Sequence, residues 1–427
     1  MNSNDKPFNK LVKLGDLLNL LTDYHANGAY EKLKANVELL DEPDYAVMIR
    51  TTNFEQLDFE INLKFITEKA YEFLAKSKVR AGDLIMNKIA NAGSIYLMPN
   101  LNRPVSLAMN LFLIRINELK ANPVYVYAYL KINEEYVKSF ANGSVTKTIT
   151  KDAVRNLEIN LPERNIQDEI ANFYITLSSR IDLLNKTNST LEAIAQALFK
   201  SWFVDFDPVR AKAEGRLPEG IDAATAALFP DVFEDSELGL VPKGWVIARL
   251  IDFAKLKGGK MLSKEHFSVD GEFPVYGGAG EMGRSNLSNA EGFVITVGRV
   301  GAYCGQYFWH SGKAWVNNNA SHVIPHNKNY SVWLYQWLCS VDMNLIKKGA
   351  AQPFVSNGDI ENLKIILPVA SVIEEFVNVC EPIFERMSSV LASISTLTNL
   401  RDSLLPRLIS GQLRIADAEA ELEKATA

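Results

Sequence analysis

The seven residues Asn156-Leu157-Glu158-Ile159-Asn160-Leu161-Pro162 return 206 positions later as Asn362-Leu363-Lys364-Ile365-Ile366-Leu367-Pro368. Outward from this pair, the same shift lays Gly143 on Gly349, Glu169 on Glu375, and Ser189-Thr190-Leu191 on Ser395-Thr396-Leu397. Solenoid units run to only a few tens of residues, so a period this long marks a duplicated module instead. Each copy is large enough to bury its own core. A chain built of two similar halves reads two similar things, or binds two copies of one partner. In each copy the matched segment is a short strand that ends at a proline.

Beyond each proline the hydrophobic period changes from that of a strand to that of a helix. In the first copy it runs Leu177, Ile181, Leu184, Asn188, Leu191, Ala195, Leu198, Trp202. The second runs Ile383, Met387, Val390, Ile394, Leu397, Arg401, Leu404, Leu408, with the same alternating steps of four and three. An apolar a/d seam sustained over about four heptads predicts a coiled coil, and an amide such as Asn188 at a seam position fixes its register. Helices of about 40 residues would each be about 60 Å long. They can pair antiparallel only if the intervening globular unit carries the chain back. A rod of this kind sets a fixed distance between two sites.

The predicted fold class is therefore α+β. Two mixed α/β domains are each followed by a long helix, the helices pair as an antiparallel coiled coil, and the whole is an internal pseudo-two-fold repeat. The expected boundaries are 1–162 for the first domain, 163–207 for its helix, 208–244 for a connector, 245–368 for the second domain and 369–415 for its helix. Residues 416–427, acidic and alanine-rich, are expected to be a disordered tail. The connector holds Pro208, Gly215, Pro218, Gly220, Pro230, Gly239, Pro242 and Gly244 and is expected to be extended. Within the domains, Gly82 to Asn87 and Gly292 to Thr296 read as turns entering strands. Each is followed by a basic residue and a small-residue turn, Lys88 to Gly93 and Arg299 to Gly305.

Composition bounds the function classes. Of 427 residues, 47% are hydrophobic and 22% charged, ordinary for a globular chain. No run approaches the ~18 apolar residues of a spanning helix, and the start MNSNDKPFNK lacks a signal-peptide core. Cys304, Cys339 and Cys380 form no Cys-x-x-Cys pair and read as free thiols in a reducing, cytoplasmic compartment. The net charge of -6 counts against a dedicated nucleic-acid binder, although affinity depends on where charge lies. Local basic clusters occur at Lys76, Lys78, Arg80 and Lys88, and at Arg249, Lys255, Lys257, Lys260 and Lys264; the plainer reading is solvated surface.

Catalytic signatures are missing. Gly278, Gly280 and Gly283 form a Gly-x-Gly-x-x-Gly after a plausible strand, but Arg284 to Asn289 will not open the phosphate-cradling helix such a loop needs. Cys304, His310, His322 and His326 match no common zinc spacing, and Pro325 breaks the helix that would align the last two. The chain holds no P-loop, no nucleophile elbow, no nuclease carboxylate cluster and no methyltransferase Asn-Pro-Pro-Tyr motif. The reading is a non-enzyme with no cofactor or metal of its own.

Residues 185–210, NKTNSTLEAIAQALFKSWFVDFDPVR, carry a specific resemblance. With Leu228-Phe229-Pro230-Asp231 and Leu238 to Trp245, they resemble the central region of type I restriction–modification specificity subunits. Pro274 to Gly278, Val297 to Gly301, Cys304-Gly305 and the run Arg401 to Gly411 are similar to that family's second recognition domain and C-terminal helix. The likeness covers nearly the whole chain and is weaker over residues 1–140.

The resemblance implies that each globular domain is a target recognition domain reading one half of a split sequence in double-stranded DNA. The helices would be the spacer rod, docking two methyltransferase subunits, and restriction–translocase subunits would complete the enzyme. S-adenosylmethionine, ATP and Mg2+ would sit on those partners. Base readers would lie in glycine- or proline-marked loops beside strands. Lys88, Asn91 and Arg103 are the candidates in the first domain. In the second they are Tyr276, Arg284, Arg299, Tyr303, Asn317, Asn318 and Gln352. Trp202, Phe203 and Phe206 read as packing at the end of the rod with a methyltransferase subunit against them. The alternative is a coiled-coil scaffold that positions two protein partners without touching DNA; net acidity favours it, and the two full domains with matched Gly-to-basic loops favour the reader.

Overall fold

The computed structural model describes residues 10–143, 145–349 and 352–426. The chain folds into two compact units, Met1–Asp182 with Ser395–Ala427, and Leu183–Ile394. No helix among the described residues is long and apolar enough to cross a membrane.

The first unit is built on two four-stranded sheets. One has the order Leu18–Asp23, Leu111–Ile116, Leu84–Asn87, Ile95–Leu97, all antiparallel neighbours. In the other, Ala46–Ile49 pairs parallel with Val105–Leu107, and Phe65–Ile66 and Lys78–Val79 flank them. The runs AVMI and LIMN are buried at every position, which is why they read as unbroken apolar stretches rather than alternating ones. Val47, Ile49, Phe54, Ile85, Leu111 and Leu113 share one core cluster. Helix Pro123–Ile132 packs on strand Ile95–Leu97. Asn122 starts that helix by accepting from Val124 N at 2.9 Å and Tyr125 N at 3.2 Å, with proline in its first turn. The strand ending at Pro162, Glu158–Leu161, pairs antiparallel with Lys10–Lys13.

The second unit has the same strand order in its four-stranded sheet, and its other sheet has three strands where the first unit has four. Ala254–Gly258, Ala320–Pro325, Phe293–Gly298 and Tyr307–Ser311 form one sheet, and Phe273–Gly277 joins Gly280–Ser285 antiparallel and Trp315–Val316 parallel in another. The strand ending at Pro368, Lys364–Leu367, pairs antiparallel with Val246–Arg249.

Each predicted long helix is present: Arg164–Phe203 and Ala370–Ile409, 40 residues apiece. The heptad positions are their inward faces. Ile181, Met387, Val390, Leu397 and Leu404 are buried, and Leu184, Asn188, Leu191, Leu198 and Ile394 half-buried. Within the second unit, Asn188 Nδ2 donates to the Met387 carbonyl at 3.4 Å, and Phe199 and Phe203 lie 5.8 and 5.1 Å from the Phe376 ring. As one segment advances from Asn188 to Phe203, the other therefore recedes from Met387 to Phe376. In the first unit Tyr127 and Tyr174 meet edge to face at 5.7 Å, and both phenols lie within the electrostatic reach of the half-buried seam residue Arg401.

Two expectations are corrected. The connector is folded, not extended: helices Asp207–Ala213 and Ala223–Ala227 and the hairpin Phe233–Ser236 with Gly239–Pro242 occupy it. Gly215, Pro218, Gly220, Pro230 and Gly244 fall between its elements, which are pinned by buried Val209, Phe229 and Trp245, and Lys212 Nζ donates to the Ala226 and Phe229 carbonyls. The C-terminal stretch is a helix, Ile415–Thr426, with Ala418 fully buried and Arg407 paired to Glu421 at 3.3 Å. Alanine and glutamate are strong helix formers, and one buried face is enough to hold them.

Candidate nucleic-acid interface

Both units end their central strand in a loop braced by a glycine-turned hairpin. In the first unit the chain leaves Leu84–Asn87 through Lys88. Lys88 N donates to Asn110 O at 2.8 Å, Ile149 N to Lys88 O at 3.0 Å and Ala90 N to Lys147 O at 3.1 Å. Asn142 and Thr148 exchange both main-chain bonds at 2.8 Å, closing the hairpin over Gly143. Gly143 has φ 127°, and a Cβ there would lie 2.3 Å from the Thr146 carbonyl, so only glycine fits the turn. Asn91, Val145, Thr146 and Lys147 are left exposed at the rim.

The second unit repeats these bonds. Arg299 N donates to Asn319 O at 3.0 Å, Val355 N to Arg299 O at 3.0 Å and Gly301 N to Pro353 O at 2.9 Å. Lys348 and Phe354 exchange both main-chain bonds, over a turn containing Gly349 at φ 84°. Val300, Tyr303, Asn318, Gln352 and Phe354 are exposed on this rim. Five expected residues, Arg299, Tyr303, Asn317, Asn318 and Gln352, thus meet at one place. The loop at Gly278 packs beneath it, because a Cβ on Gly298 would lie 2.2 Å from the Gly278 carbonyl. The glycine-rich run leads into a strand, and its small residues serve close packing.

Other expected readers have their polar groups engaged within the chain. Arg103 Nη2 bonds the Asp44 carbonyl at 2.7 Å with its guanidinium 4.9 Å from the Phe65 ring centre. Arg284 bonds the Gly271 and Glu272 carbonyls at 2.7 Å each and lies 3.4 Å from Glu281. Asn317 is 7% exposed and its Oδ1 accepts from Leu262 N and Asn318 N. Tyr276 is buried, and burial, aided by Glu281, pushes its hydroxyl far up. Tyr276 and Asn317 are corrected, being buried, while Arg103 and Arg284 remain at the surface with their guanidinium groups bonded within the chain. Lys88 is half-buried and ion-paired, its Nζ 3.3 Å from Asp23 Oδ2.

Trp202, Phe203 and Phe206 are also corrected. They are 3%, 8% and 7% exposed and belong to the core of the second unit, beside Phe229, Trp245, Trp333 and Phe376. So little surface remains that a partner protein cannot pack on the rings themselves.

A second basic feature of the first unit is a cavity of about 310 Å³ lined by Lys76, Lys78, Arg80 and Arg115. Two of its cations are neutralised, Lys78 by Glu72 and Arg115 by Asp83, each at 2.6 Å. Among the described residues no group of three or more His, Cys, Asp or Glu could hold a metal ion. His322 stands on a strand, where burial and then Lys257 pull its pKa down to about 4. Cys304 is buried with Sγ 3.4 Å from the Arg299 carbonyl, under the second rim.

A family model described as "Type I restriction modification DNA specificity domain" matches residues 9–193 and again 242–403. The chain belongs to that family. The HindI specificity subunit of Haemophilus influenzae is 28% identical over 407 residues, covering 79% of this chain and 88% of the relative. The MjaIX specificity subunit of Methanocaldococcus jannaschii is 22% identical, covering 86% and 85%. The fold is similar to the crystal structure of a type I system S subunit from M. genitalium, with TM-score 0.57, 16% identity and coverage of 96% of this chain and 98% of that one. Each rim lies inside one of the two matched stretches of the specificity family. Sequence reasoning missed the paired ends Asn142 with Thr148 and Lys348 with Phe354. Their signal was the Gly143–Gly349 match, which marks a residue in each turn where a side chain does not fit.

Proposed function

We propose that this chain is the DNA-reading subunit of a type I restriction–modification enzyme, each unit reading one half of a bipartite sequence in double-stranded DNA. The observation that carries the reading is the recurrence, residue for residue, of one loop-and-hairpin network in both units. A main-chain scaffold fixed this way can exchange the side chains it presents without refolding, which is what a variable reader needs.

In this reading the units are copies of one module related by a pseudo-two-fold axis. The seam faces of the long helices pair as an antiparallel coiled coil, and that rod sets the number of unread base pairs between half-sites. Two methyltransferase subunits dock along it, and restriction–translocase subunits join in the complete enzyme. The partners supply S-adenosylmethionine, ATP and Mg2+ chemistry, while this chain catalyses nothing and works in the cytoplasm. Methyltransferase subunits closing on the duplex also reconcile DNA binding with the net charge of -6, because they contribute phosphate neutralisation.

The test is binding of the chain, complexed with the methyltransferase encoded beside it, to duplex DNA at rising salt. Affinity that falls steeply and linearly on logarithmic axes is the expected result. A stable complex whose DNA affinity is flat with salt would favour the scaffold reading.

A further inference from the structure

The two rims share a backbone but differ in how their first basic residue is held. Strand register aligns them residue by residue: Asp23 pairs with Phe112, which pairs with Met86, two residues before Lys88. Gly258 pairs with Ser321, which pairs with Val297, two residues before Arg299. Asp23 and Gly258 therefore occupy the same place.

In the first unit, Asp23 is 8% exposed and its carboxylate faces two lysines at the rim, Lys88 and Lys151. Oδ2 lies 3.3 Å from Lys88 Nζ and Oδ1 3.1 Å from Lys151 Nζ, while Oδ1 also accepts from Ala26 N at 3.2 Å. Lys88 Nζ lies 5.6 Å from the Phe112 ring centre. Burial by itself would raise the Asp23 carboxyl, but the two lysines outweigh it and hold the carboxyl below its usual range. In the second unit glycine stands at this place, so no carboxylate faces Arg299 from Gly258. A Cβ added there would lie 3.5 Å from Arg299 Nη1, so the guanidinium lies against that bare backbone. Arg299 Nε is buried without a hydrogen-bond partner, and Arg299 makes no ion pair among the described residues.

We infer that Asp23 is a positioning residue that holds Lys88 and Lys151 off the DNA phosphates. The first unit then meets its half-site with these two charges spent on Asp23, and the second with the uncompensated guanidinium of Arg299. This rests on the DNA-reading function proposed above. Two lysines free to swing would grip any duplex by charge alone and dilute discrimination, because phosphate contacts carry no sequence information. Arg299, by contrast, has the planar fork that grips a guanine edge or a phosphate in two places.

The test uses the full chain in complex with its methyltransferase. The probes are a labelled duplex containing the motif that the complex methylates and a scrambled duplex of the same length. Each neutralised phosphate contributes about 0.9 to the slope of log affinity against log salt. Lys88→Met and Lys151→Met should leave that slope unchanged, and Arg299→Met should weaken binding to the motif about tenfold while leaving scrambled-duplex binding nearly as it was. Asp23→Asn should tighten scrambled-duplex binding and steepen the slope by about 0.9 or more, while preference for the motif drops about tenfold. A shallower slope in Lys88→Met or Lys151→Met would overturn the inference, as would an Asp23→Asn variant that is folded yet unchanged. Should Asp23→Asn fail to fold, the two lysine variants decide alone. A wild-type complex whose affinity ignores salt would instead strike down the DNA-reading function itself.

Discussion

Replacing Phe376 by alanine should unfold the second unit at a much lower temperature. Phe376 is fully buried and makes ring contacts with Phe199 at 5.8 Å, Trp202 at 5.8 Å and Phe203 at 5.1 Å, so both long-helix segments of that unit close on it. Deleting a buried phenyl ring costs about 3–5 kcal/mol, the lost transfer energy plus the cavity left behind. For a unit of this size each kcal/mol moves the midpoint by about 2–4 °C, so the expected fall is roughly 6–20 °C. All six tryptophans lie in the second unit, so tryptophan fluorescence during heating reports that unit alone. Phe376→Leu keeps most of the volume but loses the ring edges and should cost about half as much. Leu183, 65% exposed on the first long helix, supplies the control, because Leu183→Ala should move the midpoint hardly at all. A shift below about 2 °C for Phe376→Ala would refute the packing argument, and with it the removal of Trp202 and Phe203 from the partner surface.

Three further outcomes follow from local geometry. Arg115 grips Asp83 twice, Nε to Oδ1 at 2.7 Å and Nη2 to Oδ2 at 2.6 Å, so Arg115→Ala strands a buried carboxylate and should cost about 3–5 kcal/mol in urea unfolding followed by circular dichroism. Gly143→Ala forces a Cβ to within 2.3 Å of the Thr146 carbonyl and should deform the first hairpin, weakening duplex binding about tenfold in a fluorescence titration with little change in melting. His322 is held near pKa 4 when folded and returns to about 6.5 when unfolded, so the unfolded chain takes up the proton first. Stability should be full above about pH 6.5 and fall as pH drops toward 4, and His322→Gln should flatten that part of the profile measured by thermal melting.

The long helices were the most legible part of the chain, because a seam of alternating fours and threes fixes an inward face whatever packs against it. Leu177 to Trp202 and Ile383 to Leu408 follow that face without a break. The closing strands were legible for a similar reason, each being a short apolar run ended by a proline. The connector was misread because glycine and proline punctuate folded turns as readily as extended chain; only the burial of Val209 and Phe229 distinguishes the two, and burial is a tertiary fact. Residues 416–427 were misread because acidity argues for solvent, while one buried alanine is enough to hold a helix of good formers.

At the rims, position could be read but side-chain role could not. Arg299 and Arg284 look alike as arginines beside glycine-marked strands. One has a buried Nε with no partner, and the other is spent on the carbonyls of Gly271 and Glu272. Asp23 is 65 positions from Lys88 in sequence, so the ion pair that decides how Lys88 behaves is set by strand pairing alone. The matched glycines at 143 and 349 were the one local clue to the hairpins.

The most direct test of the central claim is genome-wide single-molecule mapping of N6-methyladenine in cells that co-express this chain with the methyltransferase encoded beside it. The account predicts one bipartite motif with a fixed gap, lost when this chain is deleted, and a change in one half alone when residues 1–162 are exchanged for those of a relative. A continuous motif, or an exchange that alters both halves together, would contradict it.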